Sequence, residues 1–174
     1  IPIAAITFAS FFMGLGGAFT NADTIKALNL SGIINEQTGV IYFFQIMKAA
    51  GEVVFKYLPL FFCLGASFGL AKKEQGFAAL SGAMGYLAFH TVISQILKIQ
   101  GLTADTTAVD FLKEQGMNNI NAYRFNSLFT TELGIFTYKM SIFGGLFVGI
   151  ITSAIHNKFY NLKLPPIMAF FSVL

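Results

Sequence analysis

Tryptophan is absent from this chain of 174 residues, cysteine occurs once, histidine twice, and only 11% of the residues are charged. Each shortage excludes something. The lone Cys63 cannot form an intrachain disulfide and, set inside an apolar run, says nothing about redox compartment. Two histidines and one cysteine supply no spacing that matches a metal site. Gly14, Gly16 and Gly17 complete neither a dinucleotide fingerprint nor a phosphate loop. No cofactor, metal centre or catalytic triad is therefore expected. A soluble globular domain averages about 25% charged residues, and a water-facing surface cannot be assembled from fewer than half as many.

What is present is apolar and arranged in blocks. Residues 1–20, 53–71, 77–97 and 133–155 each approach or exceed the roughly 20 residues a helix needs to cross the hydrocarbon core. The sequence predicts an all-α, polytopic membrane helix bundle of about four transmembrane spans, supplemented by interfacial amphipathic helices. Twenty-one Phe and 17 Gly suit lipid-facing helices with close backbone contacts, and six Tyr can serve at the membrane interface. The formal charge of +3 would suggest nucleic acid in a soluble domain, but here the basic residues lie in the connections between apolar runs. Membrane topology explains them, and no nucleic-acid partner is expected.

The connections differ. Residues 21–40 are polar and read as loop, followed by a helical period over 41–52 in which Ile41, Phe44, Met47 and Ala50 alternate with Gln45, Lys48 and Glu52. That segment is expected to lie along the interface and lead into the second span, which Pro59 should kink. Lys72 to Gly76 form a short turn that makes the second and third spans antiparallel neighbours. The long polar stretch 98–131 is expected to hold a short helix near 106–115, capped by a threonine of the Thr106-Thr107 pair. Pro165-Pro166 end the last span. Lys and Arg number two in 72–76 and two in 156–165, against two in 21–50 and three in 98–131, which are far longer. The dense pair is expected to be cytoplasmic, and with it the N-terminus. No basic segment precedes the first run, which reads as a span rather than a signal peptide. Phe170, Phe171 and Val173 read as the start of a further apolar segment, so an internal fragment is expected.

Several residues stand out as candidates. Small residues four apart, Gly65 with Gly69, Ser81 with Gly85 and Gly145 with Gly149, have the spacing that lets membrane helices approach closely, though glycine is also common background in such helices. His90 lies two-thirds of the way through the third run, near Thr91 and Ser94. It suits a proton relay or substrate contact, or more simply a hydrogen bond to a neighbouring helix. Glu132 and Lys139, seven residues apart at the start of the fourth run, would share a helix face, as a polar pathway or as interface anchors. Lys56 beside Tyr57 reads as an interfacial anchor.

Three stretches carry a family resemblance. Ala49-Ala50-Gly51-Glu52-Val53-Val54-Phe55 continues through Leu58-Pro59-Leu60-Phe61 to Gly69-Leu70-Ala71-Lys72-Lys73-Glu74. Ala78-Ala79-Leu80 runs to Gly85-Tyr86 and Phe89-His90-Thr91. Phe143-Gly144-Gly145 is followed by His156-Asn157-Lys158-Phe159-Tyr160-Asn161 and Lys163-Leu164-Pro165. Together they cover about two-thirds of the chain, in an order that resembles enzyme IIC of the bacterial sugar phosphotransferase system, glucose, maltose and alpha-glucoside branch. The resemblance implies a homodimeric permease of the bacterial inner membrane that works with enzyme IIB, whose phosphorylated cysteine passes phosphate to a glucose-, maltose- or alpha-glucoside-type sugar. The parent would then be a phosphotransferase component. The chain stops near Ser172, ahead of the family's Gly-Ile-Thr-Glu-Pro type motif and its sugar-contacting His and Glu, so no catalytic residue carries over. Residues 1–174 are expected to be the N-terminal scaffold and dimer-interface half, not catalytic alone, with His90, Glu132 and Lys139 as candidates for lining or support. On the residues alone two other readings stay open, a non-transporting membrane scaffold and an unrelated secondary transporter or channel.

Overall fold

The computed structural model describes residues 2–161, and two expected features, Pro165-Pro166 and the apolar segment from Phe170, lie outside them. The chain divides into two compact units at Leu58/Pro59.

The first unit holds α1 (Pro2–Thr20), α2 (Ala22–Ala27) and α3 (Val40–Lys56). Glycine sets the approach of α1 to α3. A Cβ added at Gly51 would meet the Ala9 carbonyl oxygen at 2.6 Å, and one at Gly16 would meet that of Phe44 at 2.6 Å. The two contacts run in opposite chain directions, so α1 and α3 are antiparallel, and Phe19 packs on Phe44 with ring centroids 4.7 Å apart. Residues 21–40 are not wholly loop. Asn21 accepts hydrogen bonds from the backbone N–H groups of Asp23 and Thr24, satisfying two donors that a helix start leaves open, and so nucleates α2.

The expected continuous span 53–71 is broken. The helical period begun at residue 40 runs on to Lys56, and α4 (Leu58–Leu70) starts after the single intervening residue Tyr57. Pro59 explains the break: its missing N–H is harmless in the first turn of a helix, where that donor has no intrahelical partner. Among the described residues three helices are long and apolar enough to cross a membrane, in α1, α5 (Gln75–Ile99) and α8 (Ser141–Phe159), or four if α3 and α4 count as one broken span.

In the second unit α4, α5 and α8 form a three-helix cluster around Cys63, Tyr86 and Val148, with small residues at the closest approaches of the backbones. Cβ atoms added at Gly145 and Gly149 of α8 would meet, respectively, the carbonyls of Pro59 and Cys63 on α4. A Cβ added at Gly85 of α5 would meet the Thr152 hydroxyl oxygen at 3.1 Å. The Cys63 thiol donates to the Gly82 carbonyl at 3.3 Å and the Ser67 hydroxyl to that of Gly149 at 3.3 Å, so small polar groups tie α4 to α5 and to α8. The buried positions of α5 include Ala78, Gly82, Tyr86, His90 and Ser94, one every four residues.

The connection 98–131 holds α6 (Val109–Glu114) and a helix that was not expected, α7 (Asn119–Asn126). The cap expected of a threonine is absent. Ala108 precedes α6 with no side-chain cap, and Thr106 serves the turn before it, accepting from the Thr103 N–H at 2.8 Å and donating to the Gly101 carbonyl at 2.9 Å. Asn118 caps α7 by accepting from the Asn121 N–H at 2.9 Å.

The fourth span also starts later than expected. Residues 129–138 form an antiparallel hairpin, β1 (Phe129–Glu132) and β2 (Ile135–Tyr138), and α8 begins only at Ser141. Thr130, Thr131, Ile135, Phe136 and Tyr138 belong to the β-branched and aromatic types that favour strands. Leu133 and Gly134 supply the positive φ values, 51° and 84°, that a two-residue hairpin turn requires. The chain remains an all-α membrane bundle in class, with this hairpin as a local addition.

The short connection 71–74 is fastened to the end of α8. Asn157 donates to the Leu70 carbonyl at 2.8 Å and accepts from the Lys72 N–H at 2.7 Å, while the His156 Nε2–H donates to the Lys73 carbonyl at 2.9 Å. Asn157→Ala is expected to lower unfolding stability by about 1–2 kcal/mol, read as a lower thermal midpoint in detergent, with Asn161→Ala as the neutral control.

Candidate functional site

The hairpin is held to α5 by polar side chains. His90 Nδ1 and Thr137 Oγ1 are hydrogen-bonded at 3.0 Å, and the Tyr86 hydroxyl donates to Glu132 at 3.4 Å. Tyr86, His90 and Thr137 are 1%, 2% and 0% exposed, so this is an interior cluster rather than a surface coincidence. His90 packs edge-on against both Tyr86 and Phe89, with ring centroids 4.4 and 5.3 Å away. Its second ring nitrogen, Nε2, is buried and has no hydrogen-bond partner among the described residues. Such a group inside a protein costs free energy until something satisfies it, which marks it as a place where a water or a further polar group fits.

Beside this cluster, farther along α5, lies a cavity of about 300 Å³ lined by Thr91, Ser94, Gln95 and Lys98 from the helix and by Gly134, Ile135 and Phe136 from the hairpin. The lining offers a hydroxyl, an amide and an ammonium beside an aromatic ring. Among the described residues no side-chain hydrogen bond or ion pair engages Ser94, Gln95 or Lys98, although Ser94 is buried.

The hairpin changes where two candidates stand. Glu132 and Lys139 do not share a helix face: Glu132 closes β1 beside the turn, and Lys139 follows β2 at the other end with an exposed side chain, its N–H donating to the Leu128 carbonyl at 2.8 Å. Their seven-residue separation spans a reversal of the chain instead of two helical turns. Of the three polar candidates, His90 and Glu132 come together around Tyr86, and Lys139 stays outside. His90 is bonded to a strand rather than to another helix.

Of the small residues, Gly145, Gly149 and Gly85 lie at helix contacts. A Cβ added at Gly69 would meet nothing within 4 Å, and Ser81 is exposed, so neither is a tightly packed position. Gly82, one residue past Ser81, is the packed position, because the buried line of α5 runs through 78, 82 and 86. Tyr86, Thr137, Gln95 and Phe136 were not singled out from sequence. The four-residue spacing of Tyr86, His90 and Ser94 is the signal that could have found the first of them.

Membrane-length helices packed through glycine define a polytopic membrane protein, with a buried polar cluster between a helix and a hairpin. Residues 1–173 match the family model described as phosphotransferase system, EIIC, and the chain belongs to that family. It is a multi-pass membrane protein and a sugar permease component of the phosphotransferase system, a class that works with an IIB domain. The non-transporting scaffold and the unrelated transporter are not favoured.

Proposed function

We propose that residues 1–174 form the scaffold and dimer-interface part of a homodimeric permease of the bacterial inner membrane, taking a glucose-, maltose- or alpha-glucoside-type sugar, with the N-terminus cytoplasmic. The branch assignment rests on the resemblance of the stretches Gly69 to Glu74 and His156 to Asn161. These two stretches also meet, through the bonds of Asn157 and His156 to Leu70, Lys72 and Lys73. The scaffold role is supported by the small-residue contacts of α4, α5 and α8, and the orientation by Lys72, Lys73 and Lys158 at one end of that cluster. In this reading His90 and Glu132 support the site by fixing the hairpin, and Lys139 anchors at the interface.

The test is uptake in membrane vesicles holding the full permease with its IIB domain. Radiolabelled glucose, maltose or methyl alpha-glucoside is expected to accumulate as its phosphate, only with a phosphoryl donor present. Accumulation of free sugar, or of none of the three, would defeat the branch assignment. In the same vesicles cysteines at Lys73 and Asn161 are expected to react with an impermeant maleimide from the cytoplasmic side alone and one at Asp110 from the opposite side. Reaction of Lys73→Cys and Asp110→Cys from one side would defeat the topology.

A further inference from the structure

The hairpin sits at an unusual depth. His90 lies 15 residues beyond Gln75 in a 25-residue helix, about 22 Å along its axis at 1.5 Å per residue. Thr137, bonded to it, therefore lies alongside the interior of a helix long and apolar enough to cross a membrane. A two-stranded sheet has two unpaired edges, and no backbone hydrogen bond from the outer edge of either strand to another element is present among the described residues. Non-helical backbone at membrane depth is tolerated only where it is covered by protein or lines a water-filled cavity, because lipid offers no partner to a free N–H or C=O.

The cavity beside the hairpin indicates which of these applies. Its volume of about 300 Å³ is at the small end of the range for small-molecule sites, roughly 300–1,000 Å³, which suits one sugar ring. Ser94, Gln95 and Lys98 bring donors and acceptors with no partner among the described residues, and Phe136 brings an aromatic ring. Hydroxyl-rich rings are bound by such sets: amide, hydroxyl and ammonium groups bond the equatorial hydroxyls, and an apolar ring covers the C–H face.

We propose that the crevice between α5 and the hairpin, lined by Thr91, Ser94, Gln95, Lys98 and Phe136, is a water-filled entry subsite that holds the sugar at the end of α5 remote from Lys72 and Lys73. The inference rests on the sugar-permease reading and on the topology above, which put this end on the outer side. The subsite collects sugar from outside before translocation, so it governs the apparent affinity for external sugar rather than the rate of phosphoryl transfer.

The test uses the full permease with its IIB domain in membrane vesicles, and a cysteine at Gln95; Cys63 is fully buried and the unsubstituted protein is the labelling control. Gln95→Cys is expected to react with impermeant maleimide from the side opposite Lys73, and saturating glucose or maltose, whichever the unsubstituted protein transports, is expected to slow that reaction at least about fivefold. Asp110→Cys, in the connection on the same side, is expected to react at a rate indifferent to sugar. Gln95→Ala and Phe136→Ala are each expected to raise the KM for uptake about 5- to 10-fold while Vmax stays within about twofold, the pattern of binding lost equally from ground and transition states. No reaction at Gln95→Cys would mean that protein or lipid fills the crevice, and reaction without protection, or an unchanged KM in both alanine variants, would mean water without a sugar subsite. Either result overturns the proposal. Failure of the branch assignment would appear in the unsubstituted protein, as uptake of none of the sugars, and is thereby distinguished.

Discussion

Gly145→Leu is expected to leave little folded protein. The position opposite Gly145 is the backbone of Pro59, whose carbonyl carbon lies 2.7 Å from where a Cβ would sit, and whose carbonyl oxygen is closer still. A backbone group in the first turn of a helix cannot swing away as a long side chain can, so α4 and α8 would have to separate. Separation also breaks the contacts at Gly149 and the hydrogen bond from Ser67 to the Gly149 carbonyl. Overpacking of a core by added methylenes costs about 1–3 kcal/mol, and here a loss at or above the top of that range is expected. Gly69→Leu, placed where a Cβ meets nothing within 4 Å, is expected to change stability by less than about 0.5 kcal/mol. Thermal midpoints and monodisperse yield in detergent measure both, and equal tolerance of the two substitutions would show that α8 does not pack on α4 through its glycines.

Thr137→Val is expected to release the hairpin from α5. The substitution keeps the shape and removes the hydroxyl, leaving His90 with both ring nitrogens unpartnered at a site 2% exposed. An orphaned buried polar group costs about 1–3 kcal/mol. His90→Phe made on top of Thr137→Val removes the orphan along with its lost partner. The double variant should therefore regain much of what the single one lost. Amide exchange across Phe129 to Tyr138 is the direct measure, faster in Thr137→Val and slowed again in the double variant. Exchange that is indifferent to Thr137→Val would show that Tyr86 and Glu132 alone hold the hairpin.

Why some of this was legible beforehand, and some was not, has a physical basis. The span that became α5 stands out because it is long, apolar and bounded by Lys72, Lys73 and Glu74 at one end and Lys98 at the other. Gly145 and Gly149 stand four residues apart, a spacing of small side chains that sequence displays directly, and a Cβ added at either would meet the backbone of α4. The hairpin was not. Ile135 to Tyr138 is as apolar as the start of a span, and four residues are too few to tell a period of two from one of 3.6. The turn at Leu133-Gly134 also lacks the Asn or Asp that usually signals such reversals. That single omission accounts for the misplaced relation of Glu132 to Lys139, and it hid Thr137 as the partner of His90. Pro59 signals a disturbance in the sequence, but a proline that kinks one helix and a proline that opens the next look alike until the residues before it are seen to form a helix of their own.

The buried line of α5 recurs every four residues from Ala78 to Ser94, whereas the helix turns once in 3.6 residues. Each step therefore advances the line about 40° around the axis. From Gly82, which faces Ser67 and Cys63, to His90, which faces Thr137, the burial direction has rotated by about 80°. One straight helix can in this way meet α4 near one end and a β-hairpin toward the other without bending. The number of residues between Gly82 and His90 is consequently as binding as their identities: one residue more or fewer would turn the far half of α5 by about 100° and aim the imidazole away from the strand it holds.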